Sequence, residues 1–413
     1  LYLAAFGNTG TTVFDSVLVA ENHDATIFLR GSETTFNNVT VANNGVEFKP
    51  GDMWHTYVDI TFDSKTVITN TILWEPNACL SVTSYGSNPE VHNTVVYTGG
   101  TYVSVPEPSV GEYWRSTNPV APYDANYAPL SSWTTTGDAN GHKVAGEGDI
   151  QYVTTEVDAY GSARTFNGQV DLGAVARTPE TPSIWVTTLE DVMDPLDGEV
   201  SLREAIAYHK YLVGTGAIES TDAVQFEGDL MDGTFVLNVT ESAPATYPGV
   251  YEDVATYGTI LLDADVSIEG NNVTLDGNSG NYTILRSDSD LDLSVGFLNF
   301  ANVASGRAIE VSGGTLTVVS SAFSNIRGGS GCAILATDCS VSVSNSSFDS
   351  LYSTGNGGAI SVSCTSRGAM ASIVYSTFSN CAAYSGGAIF ASNEGNGSAI
   401  LAVHDTSILY CTS

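Results

Sequence analysis

A four-residue phrase recurs towards the C-terminal end of the chain: Gly331-Cys332-Ala333-Ile334, then Gly357-Gly358-Ala359-Ile360, then Gly386-Gly387-Ala388-Ile389. Each copy follows a phenylalanine (Phe323, Phe348, Phe378), and the period is 25 to 30 residues. A unit of that size cannot bury an apolar face alone and needs a neighbour above and below, which makes the chain a solenoid. Residue types decide which kind. Ile309-Glu310-Val311, Leu316-Thr317-Val318-Val319 and Val341-Ser342-Val343 alternate with the period of a strand. Gly, Asn, Asp and Ser separate these runs and supply turns with positive φ. The regular leucines of leucine-rich repeats are missing, and only one stretch has a helical pattern. The expected fold is all-β, a right-handed parallel β-helix with one short capping helix. Gly357, Gly358, Gly386 and Gly387 mark corners where successive coils approach closely. Phe323, Phe348 and Phe378 are expected to stack inside the tube at about 4.8 Å per rung.

A related repeat without the glycine corner runs through the first part of the chain. Phe14-Asp15-Ser16-Val17 is answered by Phe36-Asn37-Asn38-Val39, Ile68-Thr69-Asn70-Thr71 and Val91-His92-Asn93-Thr94. Asn38, Asn70 and Asn93 are expected to form a ladder that passes amide hydrogen bonds along the axis.

The rhythm breaks at about Thr101. The stretch 101–165 is rich in Pro, Tyr and Trp, and proline cannot donate to a central ladder. It reads as a cap that closes the end of a solenoid, with Tyr113, Trp114, Tyr123, Tyr127 and Trp133 either packed over the last coil or open to sugar stacking. One more apolar strand over 166–175 and a linker at 177–182 follow. Residues 1–176 thus read as the C-terminal part of one β-helix unit. A new unit begins at 183 and runs to 413, as the N-terminal part of the next. Ser201-Leu202-Arg203-Glu204 has the spacing of a capping box, and the helix over about 201–212 covers the first coil with Leu202, Ala205, Ile206 and His209. Both chain ends fall mid-repeat, which predicts a segment of a longer protein.

The 13 Lys and Arg against 46 Asp and Glu give a net charge of −33, which argues against nucleic acid and anionic membrane surfaces as partners. No run is long and apolar enough for a membrane-spanning helix. The six cysteines contain no CxxC pair. Cys381 and Cys411, and Cys339 and Cys364, are about one rung apart; the spacing admits two disulfides and equally admits buried thiols. Asp288, Asp290 and Asp292 lie at alternate positions, so on a strand they share one side, either as calcium ligands or as a solvated face. Calcium is the one cofactor the residues suggest. Six Asn-x-Ser/Thr sequons occur, at Asn38, Asn238, Asn272, Asn281, Asn345 and Asn396. The six histidines are scattered, and His92 and His404 follow Val and precede Asn or Asp, as if in equivalent rung positions.

The stretch 186–206, VTTLEDVMDPLDGEVSLREAI, resembles the opening of large bacterial exoproteins built of parallel β-helix repeats. NTILWEPN at 70–77 and VDLGAVA at 170–176 resemble the same group. The Gly-Gly-Ala-Ile and Phe phrases are similar to the repeats of chlamydial polymorphic outer-membrane proteins. The likeness spans almost the whole chain at the level of repeats and carries no catalytic motif. It implies a secreted or surface-exposed, structural or adhesive protein: one unit of a stalk, sheath or filament, made of tandem copies or of subunits stacked end to end, with a glycan or host surface as ligand. The expected protein is not an enzyme and does not insert into a membrane. The alternative is a β-helix lyase, glycoside hydrolase or carbohydrate-binding module. A lyase needs a basic residue beside calcium-binding acids, and a hydrolase needs two opposed carboxylates.

Overall fold

The computed structural model describes the chain apart from residues 1, 7–10, 23–24, 31–32, 45–56, 63–64, 77–78, 86, 99–102, 131–132, 134, 136–140, 167, 238–257, 366–368 and 396–397. The chain divides into two compact units, Leu1–Pro179 and Glu180–Ser413.

In the second unit, parallel sheets of eight, seven and six strands form a right-handed parallel β-helix. One rung consists of Thr315–Val319, Ala322–Gly328 and Ile334–Thr337; the next consists of Ser340–Ser344, Ser347–Ser353 and Ile360–Cys364. Because each rung repeats the inward pattern of the last, like residues meet in register: Val318 on Val343, Ile334 on Ile360, Ile360 on Ile389. Phe323, Phe348 and Phe378 form the expected ladder, with ring centroids 4.8 and 4.5 Å apart and planes within 3°. Phe300 extends it by a further 4.9 Å. All four rings are buried.

The corners are columns of residues in the left-handed region. Ser320, Asn345, Tyr375 and Asp405 (φ 46° to 51°) turn the chain out of the first sheet. Asn302, Asn325, Ser350, Asn380 and Tyr410 (φ 52° to 59°) turn it at the second. The glycine phrase makes the third corner. Gly357 and Gly386 have φ of +70° and +63°, while a Cβ on Gly358 would lie 1.9 Å from the carbonyl oxygen of Gly387 on the next rung. The first glycine supplies the conformation and the second the close approach. Directly after the first corner, Ser321, Ser346 and Ser376 are buried. Each hydroxyl donates to the carbonyl two residues back (2.8–2.9 Å). Ser346 and Ser376 also accept a backbone N–H from the rung before, at 3.2 Å. The core thus contains a satisfied polar staircase beside the phenylalanines.

The helix spans Leu202–Thr215, three residues longer than the sequence pattern implied, and ends on Gly216 at φ 74°. The Ser201–Glu204 capping box forms on both sides. Leu202, Ala205 and Tyr208 enter the core beside Val186, Val224 and Phe226, while Ile206 is only partly buried.

In the first unit, parallel sheets of five and seven strands carry the repeat. The four phrases align as read: Phe14 on Phe36, Phe36 on Ile68, Ile68 on Val91. Ser16, Asn38, Asn70 and Asn93 are all left-handed, with φ of 45° to 54°. The segment after this repeat differs from the expected end cap. Val110–Arg115 is one more strand of the solenoid, paired parallel to Glu90–Thr98. The rest packs on the outer face of a sheet. Along one strand Ile72 and Trp74 point to the cluster of Trp114, Tyr123, Tyr127 and Trp133, and Leu73 points into the solenoid core. Successive strand residues face opposite sides, so both faces here are covered. The apolar strand expected over 166–175 is instead a short antiparallel pair, Thr165–Phe166 with Gln169–Val170, and Asp171–Ala176 runs on as buried irregular chain. Arg177, expected in a linker, is buried in an ion pair with Asp171 at 3.1 Å.

Candidate functional site

In the first unit, the asparagine column binds a strap. Asn70 accepts from the backbone N–H of Asp149 at 2.9 Å and donates to its carbonyl at 3.0 Å, as a strand partner would. Asn37 donates to the carbonyl of Tyr152. Thr154 donates to Asp15, and Ser16 and Thr155 share a bond of 3.0 Å. Residues 149–155 therefore descend the column from Asn70 to Ser16. The expected amide ladder is reduced to one contact, Asn93 Nδ2 to Asn70 Oδ1 at 3.4 Å. The Asn38 amide is buried without a partner. The asparagines are there because they tolerate the left-handed corner; Asn70 gives its amide to the strap.

A second column, invisible in the sequence pattern, runs from Asn22 to Asn44 to Glu75. Asn22 donates to Asn44 Oδ1 (2.9 Å), and Asn44 donates its backbone N–H (2.7 Å) and its amide (2.8 Å) to the two Glu75 oxygens. Burial pushes the Glu75 carboxyl up to about 8, against the downward pull of the two Asn44 bonds.

At the helix of the second unit, Glu204 accepts from the backbone N–H groups of Ser201 (2.8 Å) and Asp194 (2.6 Å). Burial, with Glu180 adding to it, pushes the Glu204 carboxyl up to about 9. Glu180 accepts from Tyr208 at 2.6 Å, and its burial pushes it up to about 7. Arg203 is buried in an ion pair with Asp191 and donates to the carbonyls of Thr259 (2.9 Å) and Gly258 (3.2 Å). The two carboxyls and the guanidinium thus bind backbone and side chains around the first coil, and their arrangement is that of a clamp.

The acidic run does not form the single strand face that calcium binding required. Asp288 and Asp290 lie in the turn between Thr283–Ser287 and Asp292–Gly296. Asp288 pairs with Arg286 at 2.8 Å, and Asp292 accepts from Thr315 at 2.7 Å. Among the described residues no group of three or more His, Cys, Asp or Glu gathers as metal ligands. The reason is local: Ser289 and Asp290 bend the chain, so the period-2 alternation does not persist.

One charged patch was missed. Arg286 stands in register with Glu310 on the neighbouring rung. Glu310 accepts from Arg307 (2.9 Å) and Thr283 (3.3 Å). A basic residue therefore does stand beside acids on adjacent rungs. No periodic signal marks it, because Arg286, Glu310 and Leu335 share a column without sharing a type. The patch is a partly exposed ion-pair network on the outer face.

The aromatic residues of 101–165 are packed. Tyr113, Trp114, Tyr123, Tyr127 and Trp133 are all buried. Trp74 stacks on Tyr97 at 4.2 Å and meets Trp133 edge-on at 5.5 Å, and Trp114 stacks on His142 at 4.0 Å. They offer no ring face for sugar. His92 and His404 each precede a left-handed corner residue, Asn93 or Asp405. Among the sequons Asn38 is buried and Asn272, Asn281 and Asn345 are exposed; Asn238 and Asn396 lie outside the described residues.

Cys332, Cys339, Cys364, Cys381 and Cys411 are thiols. Thr337 pairs with Ser363, so Cys364 stands one residue past that pair and Cys339 two. Of the two readings the spacing admitted for Cys339 and Cys364, the structure has buried thiols. Cys381 and Cys411 do share a column, as thiols.

No family model, curated protein or solved structure matches the chain.

Proposed function

We propose that the chain is a non-enzymatic extracellular β-solenoid with a structural or adhesive role at a cell surface. The supporting observation is the in-register stacking of the second unit: three sheets in which one rung repeats the next, with one register shift between Asp276 and Gly280 and rings stacked at 4.5 to 4.9 Å. Such a stack is a rod whose length scales with the number of rungs and whose corners present loops to the outside. The net charge of −33 suits an exposed, soluble surface and disfavours nucleic acid. The motifs that resemble β-helix exoproteins point the same way.

On this reading the two units are successive pieces of a tandem array or of a stacked assembly. Leu401, Val403 and Ile408 point along the core columns and are 38% to 48% exposed. A further coil of the same pattern, from the same polypeptide or a second copy, would bury them. Glycans or host-surface molecules are the proposed ligands, held by exposed loops without turnover.

The test is incubation with uronate polymers and neutral polysaccharides, on dialysed and on calcium-loaded protein, together with electron microscopy. Rods that bind polymer but release neither unsaturated uronate nor new reducing ends support the proposal. Depolymerisation in either state overturns it in favour of a β-helix lyase or hydrolase, and the Arg286–Glu310 patch would be the first place to mutate.

A further inference from the structure

Of the five thiols among the described residues, only Cys381 and Cys411 hold the same position on neighbouring rungs. Phe378 pairs with Ile408, Ser379 with Leu409 and Ala382 with Thr412, so each cysteine stands third after its paired Phe or Ile. The N–H of Thr412 donates to the carbonyl of Cys381 at 2.9 Å, fixing the two backbones at this point. The thiols have the same orientation: Cys381 donates to the Ser379 carbonyl at 3.3 Å and Cys411 to that of Leu409 at 3.4 Å. Neighbouring rungs are about 4.8 Å apart, inside the roughly 4.4–6.8 Å window of Cα separations that disulfides span. The other three described thiols lack this geometry. Cys339 and Cys364 are offset by a residue, and Cys332 shares its column with Gly358.

We infer that Cys381 and Cys411 are a modification site, closed to a cross-rung disulfide by exchange with a small external disulfide. Cys411 is half-buried and Cys381 is buried, so the first step belongs to Cys411. Its thiolate attacks the external disulfide; that S–S bond breaks, a Cys411–S–S–R bond forms and one RS⁻ leaves. Cys381 then gives its proton to solvent, and its thiolate attacks the Cys411 sulfur and expels the second RS⁻. Two protein thiols are oxidised and one external disulfide is reduced to two thiols. Burial and the neighbouring Cys411 hold the Cys381 thiol above its usual range, so the second step accelerates as pH rises. The product ties two rungs together where no further described rung covers the stack, and such a bond persists in an oxidising compartment.

The experiment treats the reduced chain with oxidised glutathione and compares wild type with Cys381→Ser, Cys411→Ser and Cys339→Ser. Wild type and Cys339→Ser are expected to lose the mass of two hydrogens and to yield one linked peptide pair containing residues 381 and 411. In denaturant the wild-type thiol count should fall from six to four. Cys381→Ser should retain glutathione on Cys411, because the resolving thiol is gone. The oxidised wild type should melt at a higher temperature than its reduced form, a shift that Cys411→Ser abolishes. Six thiols retained in the wild type, glutathione retained on wild-type Cys411, or linkage of any other pair would overturn the inference. The wild-type peptide map decides this even if a variant does not fold.

Discussion

Single residues hold this fold at its corners. Asn325 is left-handed and donates its amide to Asn302 at 2.7 Å. Asn325→Gly keeps the conformation and loses the amide bond; Asn325→Ala loses both and adds the left-handed penalty of about 1–2 kcal/mol. Urea denaturation should therefore rank wild type, Gly and Ala in that order. Gly358→Ala faces a carbonyl oxygen at 1.9 Å and should cost at least about 2 kcal/mol, because two rungs must move apart. Glu75 sets a pH dependence. Its folded pKa of about 8 lies above the ordinary 4.5, so the folded state keeps a proton that the unfolded chain releases. The stability this contributes is complete below about pH 4.5 and declines as pH rises towards 8. Melting temperatures from pH 5 to 9 should fall for wild type and fall less for Glu75→Gln.

At the scale of elements, the strap and the helix are the two pieces that turn a bare stack into finished units. Arg164 is buried and holds the strap's return by donating to the carbonyls of Gly173 (2.9 Å) and Ala174 (2.6 Å) and to Ser16 (3.1 Å). Arg164→Ala should open the strap before the solenoid melts, read as faster proteolysis within 116–165 while the parallel sheets keep their circular dichroism. Ser201→Ala removes one half of the capping box and should destabilise the second unit by about 1 kcal/mol. The helix was legible because its start carries a side-chain signature, Ser then Glu three residues on. The strap was not. Its prolines and aromatics marked the end of the repeat, but what it would cover depended on Ile72, Trp74 and Val95, outward residues whose apolar character only makes sense once a partner lies on them. The phenylalanine and isoleucine columns were readable because residue type repeats along them. The left-handed columns were half readable: Asn and Gly announce the conformation, whereas Phe297, Tyr375 and Tyr410 adopt it under the pull of the rungs they pair with.

For the whole molecule, the two units have separate cores. The second unit gathers its buried residues into one cluster from Val186 to Ala388, and those of the first form two of their own. Residues 1–179 and 180–413, expressed apart, should each unfold cooperatively, and calorimetry of the intact chain should resolve into their two transitions. A single transition that neither fragment reproduces would refute the independence of the cores.

In-register stacking also fixes how such a rod meets force. Its ladder hydrogen bonds run along the axis, since strands lie across it and pair with the rung above and below. Tension applied lengthwise therefore opens one rung's bonds before loading the next, like a zip, and no single rung holds the full load in shear. Each rung that peels releases about 90 Å of chain, from roughly 25 residues at up to 3.6 Å each. Pulled at its ends, such a stack lengthens in steps at low force and dissipates work many times over before it parts, and a covalent bond between two rungs removes one of those steps.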